Sequence, residues 1–111
     1  MKYVTLDELY ALYFSDLTDL QKSEQFKTTS PERYVVGEGT VKSITPHTSL
    51  ILVEVTPTSR ELVHFFAVYL WFPEKEKEKL LSLKKGQQIK YSGKLNDFPA
   101  VTFFLDNCKL L

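Results

Sequence analysis

Between Leu62 and Phe72 the chain runs almost without a polar residue, and rings recur at alternate positions within it. Successive residues of an extended strand point to opposite faces, so His64, Phe66, Val68, Leu70 and Phe72 share one side and Phe65, Ala67, Tyr69 and Trp71 the other. If Val68, Leu70 and Phe72 fill a core, Phe65, Tyr69 and Trp71 project from it. An outward row of rings suits stacking chemistry. Every nucleobase offers a π-face, and each stacked base contributes about 1–3 kcal/mol with little regard to sequence. Tyr34, Lys42, Lys90 and Lys94 stand on other expected strands, and the lysines can accompany a phosphate backbone. His47 and Phe98 stand in the flanking loops. These nine residues are the expected binding set, with single-stranded DNA or RNA as ligand. A protein partner or a second copy using the same rings is the competing expectation, since Trp and Tyr are the usual anchors of interfaces.

Catalysis has little to work with. His47 sits in an expected turn and His64 in a strand, and neither has metal-ligand spacing. The single cysteine, Cys108, suits a small core filler better than a reactive thiol. Gly37-x-Gly39 lacks the third glycine and the following helix of a dinucleotide loop. No pair of carboxylates is placed by local spacing for acid–base work. The expectation is a binding module, not an enzyme, with no catalytic residue, metal site or cofactor.

The charges bound the partner. Lys and Arg number 14 and Asp and Glu 14, so the chain has no basic excess of the kind usual in nucleic-acid-binding domains. The positive side is confined to the second part, where Lys84, Lys85, Lys90 and Lys94 follow one another without an intervening acid. One cysteine excludes an internal disulfide and fits a reducing compartment. The first residues lead into an amphipathic helix instead of an apolar signal core, and no run reaches the length needed to span a bilayer. A cytoplasmic protein with no membrane partner is expected.

The elements that must position these groups change period once. Thr5 and Glu8 form a capping-box pattern, and Leu6, Leu9, Tyr13, Leu17 and Leu20, widened by Tyr10, recur at spacings of three and four. This predicts a helix of about four turns with one apolar face. Lys22 to Arg33 reads as a polar connector ending in Thr28-Thr29-Ser30-Pro31. From Tyr34 the period is two. Strands are predicted over 34–45, 49–56, 62–72, 87–95 and 100–111, with a short helix over 74–83 stopped by Gly86. Residues 1–33 would then be a helix and connector packed on a barrel formed by 34–111, one domain in all. The helix stripe must be buried somewhere, and the aromatic row is one surface it can cover.

Five strands with a helix between the third and fourth is the element order of the OB-fold, a Greek-key barrel. Gly39, Val41 and Ile44, then Leu80, Leu83, Gly86, Gln87, Ile89, Tyr91 and Gly93, then Leu105 with Cys108, resemble the bacterial tRNA_anti-like OB-fold family over nearly the whole chain. The resemblance implies the barrel, with Val35, Gly37, Gly39, Val41, Ile89, Tyr91 and Gly93 inward and Tyr34, Val36, Thr40, Lys42, Lys90, Ser92 and Lys94 outward. It implies kinship with anticodon-binding domains but no shared activity. Many members look like exported or lipoprotein domains, and a signal segment is the feature this chain does not match.

Overall fold

Two short helices stand where the hydrophobic pattern predicts one long one. The computed structural model describes residues 3–58, 67–96, 98–99 and 102–111. Thr5 opens α1 (Leu6–Tyr13) by accepting from the Glu8 N–H at 3.1 Å, and Leu6, Leu9 and Tyr10 are buried. The helix then ends, with the Ser15 hydroxyl donating to the Leu12 carbonyl at 2.6 Å. Thr18 begins α2 (Asp19–Thr29) with a reciprocal capping box, its Oγ1 accepting from the Gln21 N–H while Gln21 Oε1 accepts from the Thr18 N–H. Most of the expected connector is therefore helical, held to the core by one buried ring, Phe26. Leu20, expected on the apolar stripe, is exposed.

A three-residue strand that the pattern did not reveal, β1 (Tyr3–Thr5), pairs in parallel with the start of β2 (Tyr34–His47). The remaining strands are β3 (Leu50–Pro57), β4 (Val68–Pro73), β5 (Gln88–Leu95) and β6 (Phe103–Leu110). Pro46 and His47, expected in a turn, belong to β2, and the hairpin turns at Thr48 and Ser49. The first part of the expected 62–72 strand, with His64 and Phe65, lies outside the described residues. A 3-10 turn (Glu74–Glu76) and α3 (Lys77–Leu81) join β4 to β5.

The pairing closes on itself. β2 joins β3 and β3 joins β4 antiparallel, β4 joins β6 in parallel, and β6 joins β5, which returns to β2. This is a closed five-stranded OB-like barrel with helices at its periphery. Val35, Val41, Val53, Val55, Val68, Leu70, Phe72, Tyr91 and Leu105 fill it. Closure at this radius leaves no room for side chains at two inward positions. A Cβ on Gly39 would collide with Val55 Cγ1 and lie 2.7 Å from the Thr56 carbonyl oxygen, and one on Gly93 would lie 2.6 Å from Cys108 Sγ. Ser92, expected outward, is buried.

The helices cover one end of the barrel. Tyr10 of α1 lies 5.1 Å from Phe103, and Phe26 of α2 lies 5.2 Å from Phe98 (ring centroids). Tyr13 meets Phe98 and Phe103 edge-on. The apolar stripe of α1 is thus spent on this end and not on the outer rings of β4.

Candidate nucleic-acid interface

The outer surface of β2, β3, β4 and β6 is a grid whose rows follow from strand register. The first row is Ser43, Glu54, Tyr69 and Phe104; the second is Thr45, Leu52 and Trp71; the third is His47, Leu50 and Pro73. Alternation along β4 buries Val68, Leu70 and Phe72 and leaves Tyr69 and Trp71 half-exposed on this face. Rows two residues apart along a strand are about 6.6–6.8 Å apart, which is wide enough for a ring on each to meet a separate base.

The rings meet specific neighbours. Tyr69 and Phe104 lie nearly parallel, 17° between planes and 5.2 Å between centroids. His47 approaches Trp71 edge-on at 5.1 Å. The Tyr69 hydroxyl donates to the Glu54 carboxylate, which with that carboxylate's negative charge holds its pKa above the usual phenol value. Lys42, carried outward next to a register shift in β2, places Nζ 3.4 Å from Glu54 Oε2. These rows therefore bring together rings and the Glu54 carboxylate, with Lys42 already paired to it.

The structure gathers only part of the expected set. Tyr69, Trp71, His47 and Lys42 come together on this grid. Tyr34, Lys90 and Lys94 do not. In the cyclic order of the barrel, β3 separates β4 from β2, and β6 separates β4 from β5. On the β2–β5 side Tyr34 lies opposite Lys94 and packs on Tyr3 at 5.7 Å, while Lys90 pairs with Glu38 at 3.6 Å. Phe98 is corrected outright. It is 5% exposed and packs with Phe26, Tyr13 and Phe103 at the covered end, because rings from both helices and from β6 close over it. Phe65 lies outside the described residues.

Three contributors were missed. Phe104, 42% exposed, follows from the parity of its own strand, since Phe103 and Leu105 are both buried. Glu54 and Leu52 follow in the same way from buried Val53 and Val55. Their partners across the sheet needed the register.

Elsewhere the inventory is sparse. Among the described residues no three His, Cys, Asp or Glu side chains come together as metal ligands. Cys108 is buried, its Sγ donating to the Leu105 carbonyl at 3.2 Å, and burial pushes its thiol pKa well above the usual value. Among the described residues no helix is long and apolar enough to cross a membrane. Beside the hairpin, Ile44, Pro46, Leu50, Leu80, Leu81 and Leu83 line an open groove of about 500 Å³.

No family model matches the chain, and no curated protein does. Among solved structures the chain is similar to a Klebsiella pneumoniae protein named a "putative nucleic acid-binding lipoprotein". The identity is 13%, the TM-score 0.67, and the match covers 100% of this chain and 92% of that one. That likeness is one of fold, and it extends over the helices as well as the barrel.

Proposed function

We propose that this chain is a binding module, without a catalytic role, that takes single-stranded nucleic acid on the outer face of β3, β4 and β6. The observation that carries this reading is the placement of Tyr69, Phe104 and Trp71, all partly exposed, on one outer face while α1 and α2 pack elsewhere. The tRNA_anti-like resemblance and the name of the Klebsiella protein point the same way. Stacking would supply most of the affinity. The lysine available, Lys42, is held by an exposed pair worth at most about 1 kcal/mol, so it can turn to a phosphate at little cost. With one such contact, log K should fall against log salt with a slope of only about −0.7.

The test is fluorescence anisotropy with labelled single-stranded DNA and RNA oligomers at two salt concentrations. Wild type should bind, and a folded Trp71→Ala should bind about 5- to 150-fold more weakly, the loss of one stacked base. Absence of binding to either polymer at low salt would overturn the proposal. A second reading, contact with a protein partner, is favoured by the apolar groove beside the hairpin, whose lining includes exposed Leu50 and Leu81 and adjoins His47. Under that reading Leu81→Asp would abolish partner binding and leave oligomer binding alone.

A further inference from the structure

A carboxylate in the middle of a surface that meets a polyanion needs a reason. Glu54 is flanked across the sheet by Tyr69, so a base stacked on the free face of that ring has its edge within reach of the carboxylate. An ionised carboxylate only accepts hydrogen bonds. Its present donors are the Tyr69 hydroxyl and, through an exposed and easily exchanged ion pair, Lys42. Single-stranded bases are read on their Watson–Crick edges. On that edge guanine offers two adjacent donors, N1–H and the N2 amine, spaced to meet both oxygens of a carboxylate. Adenine and cytosine each offer one amine beside an acceptor nitrogen. Thymine and uracil offer one N–H between two carbonyl oxygens, which a carboxylate repels.

We infer that Glu54 makes the site selective for guanine, with the Lys42 ammonium released to the neighbouring phosphate as the base arrives. This rests on the proposed nucleic-acid reading and adds a base preference to it. A carboxylate on the binding face is then a reader of bases and not a flaw in an electrostatic surface.

The experiment uses a labelled thymidine oligomer and the same oligomer with one central guanine, adenine, cytosine or inosine. Wild type should bind the guanine oligomer about fivefold or more tightly than the all-thymidine one, the low end for a bidentate pair. Inosine lacks the N2 amine and should lose most of that advantage, a result no change in protein folding can produce. Glu54→Gln should bring the guanine ratio near one while keeping affinity for thymidine. Tyr69→Phe removes a competing donor and should keep or raise the ratio. Equal affinities for all central bases, or a guanine preference that survives Glu54→Gln, would overturn the inference while leaving single-strand binding intact. Absence of binding to every oligomer would overturn the reading beneath it, and this inference with it.

Discussion

Two aromatic clusters sit on this barrel, and they differ in what covers them. At one end Tyr10, Phe26, Phe98 and Phe103 interlock under α1 and α2, all nearly inaccessible. On the outer face Tyr69, Phe104, Trp71 and His47 touch one another in pairs and remain open. Phe103 and Phe104 are adjacent in the chain and belong to different clusters. Burial, and not ring chemistry, separates a stabilising aromatic from one free to bind. A chain with 14% aromatic residues needs both kinds of place to put them.

The comparison can be broken most forcefully at that adjacent pair. Phe103→Ala should destabilise the fold by about 3–5 kcal/mol in urea unfolding, the cost of emptying a packed aromatic site. Phe104→Ala should cost under about 1 kcal/mol, because its surface is already partly hydrated. Similar losses at the two positions would mean that the outer cluster is structural. The interior is sharpened next by Gly39→Ala, whose Cβ meets both Val55 and the Thr56 backbone. It should cost about 1–3 kcal/mol of overpacking in the same assay, with the outer rings untouched.

A milder test uses alkali. Tyr91 and Cys108 are buried and both keep their protons far above their ordinary values of 10.0 and 9.0. The unfolded chain releases those protons first, so above pH 9–10 the folded state binds more protons and stability falls as pH rises. Each group should contribute about 1.4 kcal/mol per pH unit once its unfolded counterpart is ionised. Unfolding midpoints measured from pH 8 to 11 check the sign; stability flat across that range would refute it. Trp71→Ala should have the smallest effect on stability, within about 0.5–1 kcal/mol, and by contrast the largest on oligomer binding.

Much of the barrel was legible because its strands have one wet face. β3 alternates Ile51, Val53 and Val55 against Leu52 and Glu54, and that alternation fixes which side is inside. The run that holds Tyr69 and Trp71 lacks that alternation, being apolar at nearly every position, so its facing stayed conditional until the structure put Val68, Leu70 and Phe72 inside. The helices were harder. The apolar recurrence running to Leu20 suggested continuity, but Thr18-x-x-Gln21 is a second capping box and it divides the segment. α2 itself shows almost no periodic signal, since a single residue, Phe26, buries. For the site, sequence parity assigns each residue to a face of its own strand but not to a side of the barrel. Lys90 and Lys94 do point outward as expected; the cyclic strand order puts them elsewhere. A loop position such as Phe98 reads as surface in the sequence, but its ring is buried against Phe26 of α2, a contact only the three-dimensional arrangement reveals.

The closure of the barrel bears on how the chain is made. β2 emerges from a ribosome well before β5, yet the pairing of the two joins Thr40 to Gln88 and Tyr34 to Lys94. The β4–β6 pairing likewise waits for Phe103 to Leu105. Until those residues are synthesised, one edge of β2 and one of β4 have no ladder partner, and such edges invite pairing between chains. Barrel closure should therefore wait for β5 and β6 and be slow for the barrel's size, as contacts distant in sequence require. A prematurely terminated chain would be aggregation-prone for the same reason, long before any loss of binding was noticed.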